Sequence, residues 1–183
     1  AFGLTAFDSA IRYHGPSKSK TSHFHLLLNK LEEYLKQDEL NKETSTVQVL
    51  HEIAESIPRR SLVIIFSDML ENPEQLGPML SALQHLKHNK HEVILFHVVD
   101  AAKEFDFDFE NRPYQFVDME TGEQIKLRSN QVKSFYQDKM KAFQEEVYLK
   151  CLQYTIDYVK ADINAGYKNI LQSYLVKRSK MRV

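Results

Sequence analysis

Two acidic residues stand where open α/β sheets carry their chemistry. Asp68 closes the apolar run Ser61, Leu62, Val63, Ile64, Ile65, Phe66, Ser67, and Asp100 closes residues 91–99 (HEVILFHVV). Short runs rich in β-branched residues and ended by a polar residue read as strands buried on both faces, the kind found in parallel sheets covered by helices. In such sheets ligands bind outside the carboxyl ends of the strands. In a functional reading Asp68 holds a cation directly or through water and Ser67 supplies an oxygen, with Asp68 and Asp100 on an interaction face. The plain alternative is that Asp68 stops its strand and hydrogen-bonds its own loop. Asp100 precedes Ala101-Ala102, which can open a helical turn, so it reads as an N-cap.

Other chemical candidates have bland explanations. His85, His88 and His91 are spaced by three, as a zinc site on one helix face requires, but the helix should end near Lys87, where solvated histidines suit its C-terminal dipole. His23 and His25 are two apart and point in different directions. Cys151 falls on the apolar side of a long helix, with no base placed beside it by any motif, so it reads as a buried thiol. Residues 177–182 hold four basic side chains, an ordinary closing for a terminal helix. Phe105, Phe107 and Phe109 alternate with acids, so they form either one core face of a strand or an exposed patch for a partner. No phosphate-binding glycine loop, nucleophile elbow or His-Glu-x-x-His pair occurs.

The elements that must position these residues follow from periodicity. Residues 2–7 and 11–14 read as a hairpin stopped by Gly15-Pro16. Phe24, Leu27, Leu28, Leu31, Tyr34 and Leu35 mark one face of a helix. Val47, Leu50, Ile53, Ala54 and Ile57 mark a second, with Ser45 and Gln48 as a capping box. Strand 61–66 leads, through an Asn72-Pro73 helix start, to a helix with face Leu76, Met79, Leu80, Leu83 and Leu86, then to strand 91–99. Strand, helix, strand at this spacing is a βαβ unit with a right-handed crossover. A small antiparallel insertion follows around residues 105–127, with a hairpin turn at 119–122. Asn130 then caps a helix running to about residue 152, and strand 155–159 and a helix from about residue 164 close the chain. The order predicts an α/β fold with a mostly parallel sheet and helices on both faces.

Composition bounds the function. At 183 residues the chain can bury roughly 70% of its unfolded surface, enough for a single domain over residues 1–183. Five Gly and five Pro exclude collagen-like and low-complexity chains, and one Cys excludes a disulfide framework or cysteine-based zinc site. With 24 basic against 25 acidic residues there is no field to recruit nucleic acid. No apolar run is long enough for a membrane span and no secretory signal is visible, so a cytoplasmic protein is expected.

Specific segments carry a family resemblance. Residues 61–70 (SLVIIFSDML), 91–100 (HEVILFHVVD), the hairpin 118–123, residues 156–159 and residues 174–178 resemble the bacterial family called "domain of unknown function 58", which looks like a divergent von Willebrand factor A domain. The similarity extends over about residues 2–178. It implies a Rossmann-like sheet with a metal-ion-dependent adhesion site at the strand ends, built from Asp-x-Ser-x-Ser, a Thr in a later loop and an Asp after the fourth strand. Thr44 matches the second part, with Thr46 as a competitor, and Asp68 matches the third. The first part is absent, so the site is incomplete and no cofactor is expected, with Mg²⁺ or Mn²⁺ reserved for an intact parent protein.

The resemblance also implies a partner: such proteins are commonly encoded beside MoxR-type AAA+ ATPases, which suggests an adaptor in chaperone-like assembly or metal insertion. The leading expectation is a non-enzymatic interaction module; the alternative is a metal-dependent hydrolase or transferase using the strand-end acids. The apolar start at Ala1-Phe2 and the missing motif together suggest an N-terminally truncated domain lacking its first strand and helix. Such a loss exposes two strand edges and predicts an altered sheet or a homodimer through them.

Overall fold

The structure, a computed structural model, describes residues 1–8, 10–36, 46–69, 76–117 and 124–180. They pack as two compact units, Ala1–Ile57 with Val117–Gln124, and Pro58–Phe116 with Ile125–Val183.

In the first unit β1 (Phe2–Phe7) pairs antiparallel with β2 (Ile11–Lys18), followed by α1 (Thr21–Leu35) and α2 (Thr46–Ser56). Gly15-Pro16 does not stop β2. Leu4 pairs with Gly15 and Phe2 with Lys18, and the ladder shifts register between them. A residue without an N–H is tolerated at such an irregularity. Gly15 is required for packing: a Cβ there would lie 3.0 Å from Leu27 and closer still to the Tyr13 ring. Leu27 is the buried residue of α1, whereas Phe24, Leu28, Leu31 and Leu35 of its expected core face are exposed. Phe24 does touch Phe2, ring centroids 5.5 Å apart. In α2 the buried residues are Val49, Leu50, Ile53 and Ala54, with Val47 and Ile57 half-buried. Ser45 of the expected capping box lies outside the described residues, and the Gln48 amide donates to Glu52.

The second unit is built on a parallel three-stranded sheet of order β3 (Leu62–Ser67), β4 (Glu92–Val99), β7 (Asp157–Asp162). Strand alternation assigns its faces. Ile94 and Phe96 of β4 and Ala161 of β7 pack against Tyr174 of α5 (Tyr167–Lys180). His97 and Tyr158 point the other way, toward Phe143 and Tyr148 of α4 (Ser129–Gln153). α3 (Leu76–His88) buries the five residues predicted for its face. Asn72-Pro73 of the expected helix start lies outside the described residues.

One expectation fails on β3, which is not buried on both faces. Among the described residues it hydrogen-bonds β4 alone. On the face shared with Phe96 its residues Leu62, Ile64 and Phe66 are 44%, 46% and 65% exposed. The cluster under α5 is drawn from β4 and β7, and Phe66 stacks on Phe96 at its edge, 4.9 Å between centroids.

The βαβ order is made by one repeated device. α3 and α4 both end on a residue with left-handed backbone, Lys90 (φ 64°) and Thr155 (φ 59°). The next N–H reaches back, His91 to Leu86 O and Ile156 to Cys151 O, as in a Schellman cap. His91 and Ile156 are thereby buried, and β4 and β7 begin one residue later. Thr155 belongs to the cap, which shifts the last strand from the predicted 155–159 to Asp157–Asp162. At the other end of α4 the N-cap position is Arg128, not Asn130, and the Ser129 hydroxyl donates to Glu110 O.

The insertion is also corrected in part. β5 (Pro113–Val117) and β6 (Gln124–Arg128) form a two-stranded sheet, while the turn at 118–123 lies outside the described residues. Residues 101–105 form a single π-helical turn, and Phe107 has φ 48°, so the phenylalanine alternation is not a strand. Its rings converge on one cluster, Phe107 against Phe116 and Tyr136, Phe109 against Tyr114 and Phe116. Phe107 is 4% exposed, which makes this a local core rather than a partner patch.

Two substitution experiments check this architecture by chemical denaturation. Ile64 and Ile94 are register partners, yet Ile94→Ala should cost ~2–5 kcal/mol and Ile64→Ala about 1 kcal/mol. Thr155→Gly should stabilise by roughly 0.5–1 kcal/mol, because a β-branched residue in the left-handed region is strained and glycine is not.

Candidate functional site

The turn after β3 is held with unusual completeness. Met69 adopts left-handed backbone, φ 59°, although it is 2% exposed and carries a bulky side chain. Such strain persists where surroundings over-determine it. The Asp68–Met69 peptide is gripped at both polar atoms: the Met69 N–H donates to Ser67 Oγ at 3.0 Å, and the Asp68 carbonyl accepts from His97 Nε2 at 2.9 Å. The Asp68 side chain itself is exposed beyond the strand end.

His97 is fully buried in the middle of β4. Its Nδ1 lies 2.8 Å from the Tyr158 hydroxyl. Gln144 of α4 lies beside Tyr158 and its Oε1 accepts from Lys160 Nζ at 3.5 Å. A carbonyl can only accept, so His97 donates from Nε2 to Asp68 O and its bare Nδ1 accepts from the Tyr158 hydroxyl.

Beside this turn lie further acids. Asp100 caps the π-helical turn, accepting from Lys103 N at 3.2 Å, and also accepts from Asn164 Nδ2 at 2.8 Å. Its expected capping role is thus observed, on a π rather than an α turn. Glu104 Oε1 accepts from Asp100 N at 2.9 Å, while Glu104 Oε2 is buried without a hydrogen bond. Burial, aided by the charges of Asp68 and Asp100 and opposed by the Asp100 N–H, raises the Glu104 carboxyl above its ordinary range. Asp162, at the end of β7, is held low by the Asn164 and Ala101 N–H groups. The edge therefore gathers Asp68, Asp100, Glu104 and Asp162.

Thr44 lies outside the described residues, Ser67 Oγ is occupied by Met69 N–H, and no Asp-x-Ser-x-Ser exists in the sequence. Among the described residues no group of three or more His, Cys, Asp or Glu is arranged to hold a metal.

Other sequence candidates resolve as structure. His91 is buried, not solvated, with Nδ1 accepting from Ser61 N at 3.2 Å, while His85 and His88 sit in the last turn of α3. His23 bonds the Phe2 carbonyl. Burial pushes the Cys151 thiol up to about 12, which removes it as a nucleophile. Arg178 of the basic ending forks onto Glu92 at the start of β4 and bonds Tyr174. A shallow depression of about 460 Å³ lies on the outer surface of α4, among Glu145, Glu146, Leu149 and Lys150, and none of the strand-end acids lines it. His97, Glu104 and Tyr158 were not singled out by sequence; the available signal was a histidine inside an otherwise apolar strand, which needs partners when buried.

His97 gives the site a pH signature. Burial, aided by the Lys160 charge and opposed by the Asp68 carbonyl and charge, holds its pKa below the ordinary 6.5. Below about pH 6.5 the unfolded chain takes this proton before the folded one, so the contribution is complete above that pH and is lost toward the folded value, at up to ~1.4 kcal/mol per unit. Glu104 acts oppositely, losing stability as the pH rises above about 4.5, because its folded pKa is raised. Urea unfolding of wild type and His97→Gln between about pH 4.5 and 7.5 separates the two. Wild type should lose stability on acidification more steeply, and equal slopes would refute the assignment.

Among the described residues no helix is long and apolar enough to cross a membrane. No curated protein and no solved structure shows significant similarity to the chain. The family described as "Protein of unknown function DUF58" matches residues 1–146, a span that takes in the hairpin, β3, β4, the capped π turn and most of α4. The chain that carries this clamped strand-end turn belongs to the DUF58 family.

Proposed function

We propose that this chain is a non-catalytic protein-interaction module with a Rossmann-like, von Willebrand factor A-like sheet, docking through the carboxyl edge of β3, β4 and β7. The observation that carries the reading is the Asp68 turn: an exposed carboxylate on a peptide fixed at both polar atoms beside a strained, buried Met69. A pre-set polar group at a strand end gives specificity without the entropy cost of ordering a loop on binding. The acidic neighbours Asp100 and Glu104 favour a basic surface on the partner.

The partner suggested by the family resemblance is a cytoplasmic MoxR-type AAA+ ATPase, with this module as adaptor. A hydrolase would use the same acids, but it needs an enclosed pocket in which a substrate is desolvated. Here Asp68 is exposed, and Asp100 is engaged in capping.

Binding to a MoxR-type ATPase, measured by biolayer interferometry, should weaken about tenfold or more in Asp68→Ala, equivalent to ~1.4 kcal/mol. Unchanged affinity would remove this edge as the docking face. Phosphoester turnover dependent on Mg²⁺ or Mn²⁺ and abolished by the same substitution would favour the hydrolase instead.

A further inference from the structure

We infer that His97 is a positioning residue of the strand-end face: through a hydrogen-bond chain of forced direction it holds the Asp68–Met69 peptide and sets how the Asp68 carboxylate leaves the sheet. The inference deepens the docking proposal and rests on it only for the use made of that carboxylate.

The argument begins with the peptide unit. Rotating the plane between Asp68 and Met69 changes ψ of Asp68 and φ of Met69 together, so a flip is the obvious way for Met69 to leave the left-handed region. That relaxation is favoured for any residue other than glycine. A flip would pull the Asp68 carbonyl off His97 Nε2 and the Met69 N–H off Ser67 Oγ. Serine alone is a weak restraint, since a hydroxyl rotates to suit other partners. The imidazole is the rigid one. Its ring packs edge-on against Phe143 and Tyr158, on the buried centre of β4.

A histidine can exchange its proton between two nitrogens, and one tautomer would place a bare Nε2 against the Asp68 carbonyl, lone pair to lone pair. That repulsion confines the ring proton to Nε2, and the Tyr158 hydroxyl, 2.8 Å away, donates to the Nδ1 left bare.

The test uses the full chain and no partner. In ¹⁵N-detected imidazole spectra at pH 7.5, His97 should be a single tautomer protonated at Nε2. Met69 amide exchange is then compared with that of Leu95, a core amide on β4 that reports global opening. His97→Leu removes both ring nitrogens and should accelerate Met69 relative to Leu95 by about tenfold. His97→Gln keeps an amide donor where Nε2 stood and should restore Met69 to within about threefold of wild type. Should the leucine variant fail to fold, His97→Phe, which keeps a ring against Phe143 and Tyr158 but has no donor, serves with the same acceleration expected. A mixed or Nδ1-protonated wild type, or Met69 exchange unchanged in the variant that lacks the donor, would each overturn the inference. Because none of these readouts involves binding, failure of the docking proposal would show only in the Asp68→Ala affinity.

Discussion

The second unit depends on β4 being covered on every side. It is the one described strand with neighbours on both edges of its sheet and helices over both faces, and its residues from Val93 to His97 are buried. A fully enclosed strand must satisfy every polar atom it carries. Its backbone does so through β3 and β7, leaving one polar side chain, His97, to be satisfied from within. That single requirement recruits Tyr158 from β7 and the carbonyl after β3. The polar core is small, but it reaches each element that frames the strand-end edge.

Much of this was legible in the sequence because burial leaves a periodic trace. The α3 face, the apolar run of β4 and the capping role of Asp100 are all short-range consequences of residue type. The errors share a cause as well. β3 is as apolar as β4, and its open face follows only from where α5 lies, which the strand's own sequence does not record. The alternating phenylalanines satisfy a two-residue period equally well as a strand or as a turn-folded ring cluster. Thr155 counts as a strand former in propensity, but here it closes a helix, because a Schellman cap overrides a single residue's preference. The His97 chain joins residues 61 positions apart along the sequence, beyond any local pattern.

At the strand-end edge, three acids meet a carbonyl rather than a base or a metal ligand set. Asp100, Glu104 and Asp162 are tied to N–H groups of the turns that follow β4 and β7. Their carboxylates are therefore part of the scaffold, each shaping the loop that carries it. At Asp68 the backbone is gripped within the turn, and the carboxylate is exposed at the strand end.

The bare face of β3 has a practical consequence. Leu62 to Ser67 is a six-residue segment without charge, proline or glycine, hydrogen-bonded on one edge. Segments of that makeup stack readily into cross-β ribbons when presented edge-on. The protein's formal net charge of −1 offers little mutual repulsion to oppose such stacking near neutral pH. This edge is therefore a place where concentrated protein can associate without first unfolding.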